Sequence, residues 1–183
     1  MPVEYPSSGD LSKAFYMEAI RHLEDAAVLL DNLRYAASIT SSMKAAELAV
    51  KAAAIKANAF GFWSDLFKKH NPVTAMDSHT ILKGLVDEIN GSVPLLSGRI
   101  KEMEKLEPKE MKAGQSEEIN TEYPFLRAQT GGRRRAAIIE SPQAYFGETD
   151  AITHYSSARD LIDLLPRLRR SMSSWRSPLP GPR

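Results

Sequence analysis

His154, Tyr155 and Arg159 fall close together late in the chain, and Arg133-Arg134-Arg135 precedes them. A histidine with an ordinary pKa of about 6.5 can relay a proton, while arginines grip a phosphate through planar, permanently charged forks. Residues of these types near one another could therefore handle a phosphodiester, with His154 and Arg159 as the candidate catalytic pair and Arg133, Arg134 and Arg135 as phosphate ligands. The plainer alternative makes His154 and Arg159 surface residues of a helix and the triple arginine a solvated loop. Arg167, Arg169, Arg170, Arg176 and Arg183 follow without a carboxylate side chain among or after them. They either add nonspecific, salt-sensitive attraction for phosphate or keep a tail in solution.

Earlier in the chain, Glu47 and Lys51 are four residues apart. Buried in a helical hairpin, such a pair would mark a nucleotide site with Lys51 on the phosphate. On a surface it is an i,i+4 pair worth a few tenths of a kcal/mol, and a surface pair is what the spacing alone predicts. His22 follows Arg21, His79 follows Ser78 at a helix start, and His70 is isolated. Gly131-Gly132 lacks the Gly-Lys-Ser/Thr that cradles nucleotide phosphates. No His-x-x-x-His, carboxylate cluster or Gly-x-Ser-x-Gly suggests a metal or a hydrolase elbow, so neither metal nor cofactor is expected.

Composition narrows the field further. At 183 residues the chain suits one domain able to bury its own core. It contains no cysteine, which removes disulfides, thiolate metal sites and a cysteine nucleophile together, and a reducing cytoplasm is the natural expectation. The first ten residues have neither the basic nor the apolar segment of a signal peptide, and no window resembles a membrane span. A formal net charge of +1 argues against a strongly basic nucleic-acid binder.

The elements that must position these residues read as helices. Lys44 to Lys56 combines strong helix formers with an alanine-rich stripe at Met43, Ala46, Val50, Ala53 and Ala57. Small residues let neighbours come close, so this helix belongs at the centre of a bundle. Before it, Leu11 to about Leu33 holds a helical period behind Asp10, the expected N-cap, and residues 1–9 form a flexible start. The connection at Asn32 to Tyr35 is short enough to make an antiparallel hairpin with a second helix reaching about Ala59.

Phe60, Phe62 and Trp63 are expected to plug one end of the bundle. A third helix is predicted from Asp77 or Ser78 to the stop at Asn90-Gly91, and a fourth from Pro94 to Pro108. Residues 107–148 lack a sustained period and read as a long loop, acidic first and basic later. A last helix should open at Thr149 or Asp150 and end or kink at Pro166. A mobile basic, proline-rich tail over 171–183 completes the expected organisation.

Several segments, taken in order, resemble the HEPN domain family. They are Tyr16 to Leu30, Arg34-Tyr35-Ala36-Ala37, Ala45 to Ala52, Ser78 to Leu82, Glu122-Tyr123-Pro124 and Gly147 to Ala151. The resemblance spans residues 10 to 170 and implies an all-α antiparallel bundle of four to five helices, paired as a homodimer. It also implies nucleotide or RNA binding, and in one branch a toxin–antitoxin pairing with a minimal nucleotidyltransferase partner. The family's ribonucleases carry Arg-x4-6-His near the start of a late helix. No arginine here has a histidine at that spacing, and His154 to Arg159 runs in the opposite order.

The expectation is therefore a HEPN-like domain that dimerises and binds a nucleotide, RNA or a partner protein without catalysis. Two alternatives stand beside it. One is a metal-independent ribonuclease with a rearranged site at His154, Arg159 and Arg133 to Arg135. The other is a helical interaction scaffold.

Overall fold

The computed structural model describes residues 8–56, 73–74, 80–106, 121, 125–128 and 137–168. Helix α1 runs from Ser8 to Asp31 and α2 from Tyr35 to Lys56. Helix α3 spans Thr80–Ser92 and α4 spans Leu96–Glu104. Strands β1 (Phe125–Ala128) and β2 (Ala137–Glu140) follow, then the one-turn α5 (Pro142–Tyr145) and α6 (Glu148–Leu164), which runs into a 3-10 turn at Leu165–Arg167. The all-α bundle expected from the sequence is present.

Helices α1 and α2 form the predicted antiparallel hairpin. Ser12 Oγ donates to the Ala52 carbonyl at 2.6 Å, and Ser38 Oγ donates to the Ala26 carbonyl at 2.8 Å. Moving up α1 thus moves back along α2 in step, as an antiparallel register requires. Buried Ala19, Ala26, Ala45, Ala49, Ala52 and Ala53 permit the close approach that the serine bonds need. Every residue from Ala45 to Ile55 is buried, so α2, about 33 Å long, is the central element.

Helix α6 packs on both members of the hairpin. Tyr16 donates its hydroxyl to the Ile162 carbonyl at 2.8 Å, placing the end of α6 beside the first half of α1. At the other end, Gln143 Nε2 donates to the Leu33 carbonyl at 2.9 Å, and Phe146 and Ala151 pack with Ala36 and Ile39. Helix α6 therefore runs antiparallel to α1. Helix α4 crosses to it through Arg99 Nη2 and Asp160 Oδ2, 3.2 Å apart. Leu85, Val86, Ile89, Leu96, Ile100 and Met103 of α3 and α4 join the main core with Leu161, Ile162 and Leu165.

Several boundaries differ from the sequence reading, each for a local reason. Helix α1 opens at Ser8, so Asp10 sits in its first turn, where a carboxylate still favours the positive helix end. Leu33 lies outside α1 with φ of 59°. Leu33 N–H bonds Leu30 and Arg34 N–H bonds Leu29, the paired bonds that close a helix around a left-handed residue. Asn90 and Gly91 stay within α3 because Asn90 Oδ1 accepts from Ser97 N–H and Oγ, tying α3 to α4 instead of ending it.

Helix α4 stops at Glu104, before Pro108. Helix α6 opens after Gly147, whose N–H is taken by Asp150 Oδ2 at 3.0 Å, so Asp150 belongs to the first turn and is not the cap. Pro166 ends the α-helix as expected, the chain tightening into the 3-10 turn. The stretch read as one long loop contains an antiparallel ribbon, with Phe125 opposite Glu140 and Ala128 opposite Ala137. Four-residue strands are too short for alternation to register against background. The aromatic trio Phe60, Phe62 and Trp63 and the tail 171–183 lie outside the described residues.

Candidate functional site

The Glu47–Lys51 pair is not on the surface. Both side chains are about 95% buried, at relative exposures of 5% and 6%, and the Lys51 Nζ donates to Glu47 Oε1. Lys44, partly exposed, donates to the second oxygen, Glu47 Oε2, at 2.8 Å. The result is a Lys44–Glu47–Lys51 relay along one side of α2, running from the bundle interior toward solvent. Helical spacing put the charges side by side; only the layers packed around α2 put them out of water. That correction raises their cost, because each ion loses its hydration shell on burial.

His154 and Arg159 occupy α6 as expected, yet the helix does not bring them together. Five residues advance a helix by about 140° beyond a full turn, so the two side chains leave on different sides. His154 Nδ1 lies 2.6 Å from the Asp150 carbonyl one turn back. A carbonyl oxygen can only accept, so Nδ1 is the donor in this contact. Arg159 Nε pairs with Asp163 Oδ2 at 3.7 Å on its own helix. Tyr155 packs against the main core instead of flanking the histidine. Arg133, Arg134 and Arg135 lie outside the described residues, as do His70 and His79.

On α1, Arg21 bonds Glu18 at 3.0 Å, and His22 Nε2 stands 4.0 Å from the other Glu18 oxygen. This is a solvent-facing i,i+3 and i,i+4 set, worth little to stability. Among the described residues no group of three histidine, aspartate or glutamate side chains is placed to hold a metal. No described helix is long and apolar enough to cross a membrane.

Two polar anchors escaped the sequence reading. Glu104, at the end of α4, is buried and accepts from Val73 N–H at 2.7 Å, Thr74 N–H at 3.2 Å and Thr74 Oγ1 at 2.6 Å. Burial pushes its carboxyl above the ordinary 4.5, against the opposing pull of those bonds and of Lys101. Thr121, buried, is bonded to Thr40 of α2 at 2.8 Å, Oγ1 to Oγ1. Both contacts join residues far apart in sequence, and neither spacing nor residue type announces them.

A family model, HEPN_AbiV, described as AbiV, matches residues 8–120, more than half of the chain. The matched stretch takes in α1 to α4; the ribbon, α5 and α6 lie beyond it. No curated protein matches the chain, and no solved structure does.

Proposed function

The chain belongs to the AbiV family of HEPN domains, and from that premise we propose that it works in an abortive-infection system by binding and not by cleaving. In this reading two copies associate, and the assembly holds a nucleotide, an RNA or a partner protein such as a minimal nucleotidyltransferase. The observation that carries it is the state of α6. Its one histidine and its one arginine diverge, and the arginine is engaged by Asp163. Arg-x4-6-His is missing as well, and the described residues of α6 do not pair a proton relay with a phosphate clamp.

Arg133, Arg134 and Arg135 are the proposed phosphate contacts, and the later arginines add salt-sensitive attraction. Lys51, the fourth proposed contact, has its ammonium held by Glu47 inside the bundle. A cytoplasmic location is part of the same proposal.

The ribonuclease reading keeps one specific support: the contact of His154 Nδ1 with the Asp150 carbonyl holds the ring and leaves Nε2 as the nitrogen through which it would act. One experiment separates the two. Purified protein is incubated with mixed labelled RNA in EDTA, beside His154→Ala and the triple Arg133/Arg134/Arg135→Ala variant. The expected outcome is intact RNA, retained by wild type, released by salt and lost from the triple variant. Cleavage that disappears in His154→Ala would replace the binding reading with a metal-independent ribonuclease. Intact RNA that is never retained would leave a protein partner, and light scattering on the same sample tests the homodimer.

A further inference from the structure

We draw no further inference here: the strongest candidate, the exposed apolar tip that Val28 and the left-handed Leu33 form at the α1–α2 hairpin, carries nothing because nothing in the structure shows what covers it.

Discussion

Leu33 holds a conformation that L side chains resist. At φ of 59° its Cβ crowds the following carbonyl, a cost of about 1–2 kcal/mol. With 63% of the residue exposed, little burial offsets that cost. Glycine suits the same position without the clash, though it loses more entropy on folding. Leu33→Gly should therefore stabilise the protein by about 0.5–1 kcal/mol. Denaturant titration would show the midpoint rise with an unchanged slope; a fall would mean that the leucine side chain contributes contacts this accounting omits.

Glu104 makes a second residue-level prediction. Its folded-state pKa is raised, burial being the main cause, so the folded chain holds that proton more tightly than the unfolded chain does. The stabilising effect of protonation is fully present below the ordinary 4.5 and is lost as pH rises through the folded value. Glu104→Gln removes the titration. Unfolding midpoints measured from about pH 4 to 7 should decline more for wild type than for the variant over that window. Parallel curves would show that Glu104 titrates alike in both states.

At the scale of elements, the junction between α6 and α1 depends on a missing donor. Pro166 has no N–H, so the Ile162 carbonyl four residues earlier loses its helical partner. Tyr16 supplies the replacement from α1, at 2.8 Å. Tyr16→Phe leaves that buried carbonyl unbonded and should cost about 1–3 kcal/mol. In a Pro166→Ala background the helix can continue and residue 166 can donate, so the same change should cost about 1 kcal/mol or less. Equal costs in both backgrounds would show that the tyrosine hydroxyl acts independently of the proline. Each half of this arrangement was visible in the sequence as a helix position and a helix breaker. Their pairing was not, because it depends on how two helices lie side by side.

For the whole molecule, the burial of Glu47 and Lys51 is the decisive event. Layers on every side of α2 remove both ions from water, a loss their mutual attraction only partly offsets. Lys51→Met should cost about 1–3 kcal/mol, since it removes the interior partner of Glu47 and leaves the partly exposed Lys44 on its carboxylate. Glu47→Leu combined with Lys51→Met should return to within about 1 kcal/mol of wild type, or exceed it. A double-mutant cycle by chemical denaturation reads the coupling directly. If the double variant were as damaged as the single one, the pair would be doing more than neutralising itself.

The sequence by itself determined the five longer helices, the hairpin, the central place of the alanine-rich segment and the family, while the one-turn α5 fell inside the stretch it read as a loop. Each of these depends on propensity and on periods of three or four residues, which neighbours along the chain express without help from the fold. Its account of Pro166 also held, because a missing N–H is a local fact. Tertiary structure alone decided that Glu47 and Lys51 are interior and that Glu104 and Tyr16 are anchors. Burial is set by what packs against a face, and long-range hydrogen bonds by where distant segments meet. Neither quantity has a signature in residue spacing.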